Sequence, residues 1–84
     1  MAKELVGKIT HYFGKLGVAV VDLTAPLKVG DKISIESEVH KFEQTVDSIQ
    51  VEHENIQEAS AGQSIGLKTV EKVHPGNKVF KITE

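Results

Sequence analysis

Turn-forming residues interrupt this chain roughly every 8–12 residues, too often for anything but short strands. Gly14-Lys15-Leu16-Gly17, Thr24-Ala25-Pro26, Gly30-Asp31, the polar connection Ser37-Glu38-Val39-His40, the polar residues 52–59, Ser60-Ala61-Gly62-Gln63 and His74-Pro75-Gly76-Asn77 are the interruptions. Glycine accepts backbone angles closed to other residues, and aspartate can hydrogen-bond its own backbone in a turn. The Gly30-Asp31 pair is the clearest case. Leu27 and Val29 lead into it, and Ile33 and Ile35 then alternate with Lys32, Ser34 and Glu36. That alternation is a half-buried strand with one wet face.

The segments between the turns read as strands. Residues 5–13 are rich in β-branched and aromatic side chains, with Gly7 as a candidate bulge that lets both sides be used. Residues 18–23 are almost continuously apolar, which predicts burial on both faces, and the two segments read as a hairpin. Residues 32–36 form the third strand. Residues 41–51 read as one long strand whose apolar parity switches, predicting a bend near Asp47-Ser48. Residues 64–70 follow, where Gly66 signals close approach of a neighbouring backbone. Residues 78–82 are the last. The one candidate helix, residues 52–59, has too few apolar positions and reads as a turn or loop with Ile56 plugging the core. This pattern predicts an all-β fold: a small, closed, six- to seven-stranded antiparallel β-barrel. Its expected core is Leu5, Ile9, Val18, Val20, Ile33, Ile35, Phe42, Val46, Ile49, Ile65, Leu67, Val79 and Ile82.

Length and composition bound the rest. A chain of 84 residues is expected to be a single domain, 1–84. The net charge of −2 and the complete lack of arginine exclude a broad phosphate-binding surface built on guanidinium groups. Cysteine is absent, so no disulfide, thiolate nucleophile or Cys-zinc site exists. That absence, and the lack of an apolar leader or span, leads us to expect a cytoplasmic protein with no membrane partner.

Nothing in the sequence assembles a catalytic centre. His11, His40, His53 and His74 are scattered without metal-ligand spacing. Asp47, Glu52, Glu54 and Glu58 lie in polar surroundings that would not raise a carboxyl pKa. The Gly-x-Ser-x-Gly elbow of serine hydrolases is missing, and Gly14–Gly17 lacks the spacing of a phosphate loop. We therefore expect no enzyme activity, no cofactor, no metal and no GTP binding by this chain alone. Lys68, Lys72, Lys78 and Lys81 cluster toward the C-terminus. They read either as a stripe for ribosomal RNA or an acidic partner, or as gatekeepers that discourage strand pairing.

Several landmarks in order give the chain a resemblance. They are Gly7-Lys8-Ile9, Gly17-Val18-Ala19-Val20-Val21, Leu27-Lys28-Val29-Gly30-Asp31-Lys32-Ile33, Val46-Asp47-Ser48-Ile49-Gln50, residues 58–66 and Pro75-Gly76-Asn77-Lys78-Val79. With them the chain resembles domain 2 of the translational GTPases, the β-barrel that follows the GTP-binding domain in elongation factor Tu. The resemblance implies a non-enzymatic translation elongation factor-like module contacting ribosomal components, ribosomal RNA, tRNA or a translation protein. It places Gln50 where an acidic side chain contacts the terminal adenosine of aminoacyl-tRNA, and His53 where a basic or polar residue often stands. The candidate partner-binding residues are thus Gln50, His53, Lys68, Lys72, Lys78 and Lys81. The alternative is a protein-interaction or accessory domain that docks onto a separate catalytic chain and has no translational role.

Overall fold

A computed structural model of the chain describes residues 2–51 and 54–83. It contains ten strands and, among the described residues, no helix: β1 Ala2–Phe13, β2 Val18–Leu23, β3 Leu27–Lys28, β4 Lys32–Glu36, β5 Lys41–Thr45, β6 Ile49–Val51, β7 Glu54–Ile56, β8 Glu58–Ala59, β9 Ser64–Lys68 and β10 Lys78–Thr83. Eight of them form one sheet in the order β5-β4-β10-β1-β2-β9-β6-β7, while β3 and β8 make a two-stranded sheet of their own. All pairings are antiparallel.

The hairpin of β1 and β2 is the spine, since these strands lie at the middle of the order. β1 carries two irregularities, one between Leu5 and Gly7 and one between Ile9 and His11. The first confirms the bulge at Gly7 and decides the parity that the sequence left mixed. Val6 and Ile9 are fully buried, while Leu5 is 46% exposed, so Leu5 does not belong to the core. A Cβ on Gly7 would stand 2.7 Å from Val21 Cγ1 and 2.9 Å from the Asp22 carbonyl oxygen, so β2 can lie against the bulge only because glycine is there.

The Gly30-Asp31 turn forms as its residues suggest. Gly30 has φ of 98°, and the Lys28 N–H donates to Asp31 Oδ2 at 3.0 Å. Residues 41–51 are not one bent strand. They divide into β5 and β6, which lie near opposite ends of the sheet order. Between them Val46 exchanges backbone hydrogen bonds with the turn: Gly30 N–H donates to the Val46 carbonyl and Val46 N–H to the Asp31 carbonyl. Ile56 packs against the core from β7.

One cluster collects inward residues from most strands, including Ile9, Val21, Ile33, Ile35, Ile49, Ile65, Leu67 and Val79, with Leu27 and Ala59 from the short strands and Val46 and Val73 from connections. Strands so far apart in the order can share one core only if the sheet rolls up. The closed barrel expected from the sequence is nevertheless not found: β5 and β7, the two ends of the sheet, share no ladder, and the sheet is open. A side chain of β5 instead ties that strand to the C-terminal end of β9. Buried Gln44 donates through Nε2 to the Lys68 carbonyl at 2.8 Å and accepts the Val70 N–H on Oε1 at 2.9 Å. The second correction concerns β2. Ala19, Val21 and Leu23 are buried but Val18 and Val20 are only half-buried, because no second layer covers the outer face. Phe42 and Ile82 are half-buried too, Phe42 packing against the core from the edge.

Candidate interaction groove on the outer sheet face

The outward positions of β2 are half of a groove. Strand register places His11, Val20, Gly66, Gln50 and Asn55 in one row across β1, β2, β9, β6 and β7. A parallel row holds Phe13, Val18 and Lys68. Gly66 has no side chain, so the first row is notched between Val20 and Gln50. Leu16, in the turn after β1, stands over the near end and is 69% exposed; Phe13 is 51% exposed. The result is an open depression of about 410 Å³ with Leu16 and Val18 on the apolar side and Ser48, Gln50, Asn55 and Lys68 on the polar side. It continues along Val20 and Phe13 into a second hollow of about 300 Å³ that shares Leu16, Val18, Gln50 and Gly66.

The polar wall is partly organised. Gln50 Nε2 donates to Asn55 Oδ1 at 3.2 Å, holding two amides side by side across β6 and β7. Gln50 keeps its carbonyl oxygen as an acceptor and Asn55 its amide nitrogen as a donor. Among the described residues Lys68 is the only charged one lining either hollow. These residue types can bind and orient a partner, and among the described residues no group of three or more histidine and acidic side chains could hold a metal.

The candidate residues from the sequence are divided by this geometry. Gln50 and Lys68 meet in the groove. His53 lies outside the described residues, as does Glu52. The four lysines do not form one stripe, because β9, with Lys68, and β10, with Lys78 and Lys81, are separated by β1 and β2. Lys72 is exposed in the connection between them. Lys78 borders a different depression with Glu36, Ser37, Glu38, Gly76 and Phe80, where carboxylates outnumber it. Lys81 Nζ stands 3.5 Å from Asp31 Oδ2 and braces the Gly30-Asp31 turn. Near the Lys78 depression, Glu36 Oε2 accepts from Lys3 Nζ at 2.6 Å and from Ser34 Oγ at 2.9 Å. First the lysine and then the serine hold its carboxyl below the usual carboxylate range. Sequence reasoning missed the apolar wall. Its signal was there, in a run of residues 18–21 more apolar than an alternating strand needs.

No family model matches the chain. Individual proteins do. It is 30% identical over 80 residues to an uncharacterised protease of Methanocaldococcus jannaschii, a match that covers 94% of this chain and 20% of that protein. It is 35% identical over 81 residues to a collagenase of Porphyromonas gingivalis, covering 94% of the chain and 22% of the collagenase. Among solved structures it superposes on the C-terminal domain of a proposed U32 peptidase from Geobacillus thermoleovorans with a TM-score of 0.88 and 23% identity, covering 95% of this chain and 93% of that domain. The fold is the one seen in that C-terminal domain. The chain spans about a fifth of the length of the curated relatives it matches. These findings overturn the resemblance to domain 2 of the translational GTPases and the elongation factor-like reading built on it. The landmarks behind that resemblance are turn glycines and strand valines and isoleucines, which a small strand-rich domain needs whatever it binds.

Proposed function

We propose that this domain is the accessory, binding part of a U32-type peptidase system. It serves a catalytic unit without itself cutting, whether that unit lies on the same polypeptide or on a separate chain. The observation that carries the reading is the coverage: nearly all of this chain aligns with about a fifth of each protease. The remaining four-fifths are ample for a catalytic unit. The groove agrees in character, since its amides, exposed aliphatic groups and lone lysine suit recognition rather than bond cleavage.

A graft tests the reading. The segment of the Methanocaldococcus jannaschii protease that matches this chain is deleted, and in a second protein it is replaced by this chain. Hydrolysis of a fluorescent protein substrate is then followed. We expect deletion to impair hydrolysis, the graft to restore it, and the isolated domain to release no product. Full activity after deletion, or hydrolysis by the isolated domain, would overturn the proposal.

A further inference from the structure

Two strand glycines of this chain have opposite reasons for being there. Gly7 is required from within, because a Cβ there would collide with Val21 and the Asp22 backbone. Gly66 is not. Its φ lies outside the left-handed region, and the atoms nearest to a Cβ on it would be Val18 Cγ1 at 3.4 Å and Gln50 Cβ and the Gln50 carbonyl oxygen at 3.7 Å, ordinary contact distances. Glycine within a strand destabilises it relative to residues with side chains, so its presence calls for a cause. The backbone atom among those neighbours is the carbonyl oxygen of Gln50, its ladder partner on β6, at an unstrained distance. What the missing side chain does is keep the groove floor low between Val20 and Gln50.

We propose that this notch seats the backbone of an extended, acidic segment of the catalytic unit. The inference rests on the accessory reading above, which supplies the partner. Three observations select the occupant. Both edges of β9 are occupied by β2 and β6, so a ligand reaches Gly66 through the face and not by adding a strand. The Gln50–Asn55 pair offers one acceptor and one donor together, which is what a peptide unit needs. The chain carries a net charge of −2, yet among the described residues no carboxylate lines either hollow and Lys68 is their one charge, so an acidic partner is favoured there. Leu16, Val18 and Phe13 supply the apolar wall for alternate side chains of the segment.

The test is a nuclear magnetic resonance titration of the isotope-labelled 84-residue chain. The probes are a blocked hexapeptide alternating glutamate with leucine, its counterpart alternating lysine with leucine, and a short CCA-ended RNA. We expect the glutamate peptide alone to shift, saturably, the Gly66 backbone amide and the side-chain amides of Gln50 and Asn55. Gly66→Val should abolish the shifts, and Lys68→Glu should transfer the preference to the lysine peptide. Gly66→Ala, whose added methyl group meets no clash, should weaken binding while retaining the wild-type spectrum of the core; it serves if the valine variant does not fold. Absence of saturable shifts at these amides, preference for RNA, or wild-type binding by the Gly66 variants would overturn the proposal. The graft separates the two readings. A Gly66→Val graft that restores hydrolysis as well as the wild-type graft overturns the groove alone, whereas failure of the wild-type graft overturns the accessory role.

Discussion

Gly7 and Glu36 show how single residues reveal their work through geometry. Gly7→Ala would force a methyl group against Val21 and the Asp22 carbonyl, and the backbone oxygen cannot turn aside. We expect it to destabilise the domain by about 1–3 kcal/mol, the usual range for overpacking, read as a lower urea midpoint. An unchanged midpoint would mean that the bulge relaxes freely. Glu36 makes the pH prediction. Its folded pKa is depressed by Lys3 and Ser34, so it stabilises the folded state above its unfolded pKa of about 4.3. That contribution is lost as pH falls through the lower folded value. Lys3→Met should therefore lower Tm at pH 7, and the gap from wild type should narrow as pH drops below about 4. Lys3 also sits 4.9 Å from the centre of the Phe80 ring, a contact that does not titrate, so a small gap should persist in acid. A gap that stays constant from neutral pH into strong acid would exclude the carboxylate as its source.

At the scale of elements, strand β4 and the hairpin of β1 and β2 were legible because period and turn chemistry are local, although Ser34, on the face of β4 expected to be wet, is buried and donates to Glu36. Pairing between distant segments was not. In residues 41–51 the parity switch near Asp47-Ser48 announces an irregularity, but nothing local says that the chain there leaves one end of the sheet and rejoins it near the other. The groove was half legible. Gln50 and Lys68 were singled out, but Val18 and Val20 were placed in the core, because an apolar run does not distinguish a covered face from a binding face. Nor does composition mark Gln44, a buried amide in place of ladder bonds. Gln44→Leu keeps the volume roughly constant but leaves the Lys68 carbonyl and the Val70 N–H without their partner. The expected cost is about 1–3 kcal/mol for the orphaned groups, measured by urea unfolding. A leucine variant as stable as wild type would show that water satisfies both groups and that the amide does not hold the edge.

Across the whole molecule, cohesion is uneven, and the soft part includes the polar wall of the groove proposed to bind. β1 is laddered on both sides, by six residue pairs to β10 and six to β2. β6 meets β9 through two pairs, Ile49 with Leu67 and Gln50 with Gly66, and β3 meets β8 through two. Local opening follows the weakest connections, so a unit containing β6, β7 and β8 should separate before the spine does. Amide hydrogen exchange tests this. Amides of β1, β2, β10 and β4 should exchange only through global unfolding, with Val21 and Ile33 among the slowest. Gln50 and Asn55 should exchange orders of magnitude faster by local opening. Because Gln50 and Asn55 form one wall of the groove, an occupant that binds there is linked to that opening, and it should slow exchange in β6 and β7 while leaving the spine unaffected until the domain as a whole is stabilised. Uniform protection across all strands would contradict the split. Protection on peptide binding that appeared first at β4 and β10 would move the binding face to the other side of the sheet, toward Phe80 and Lys78.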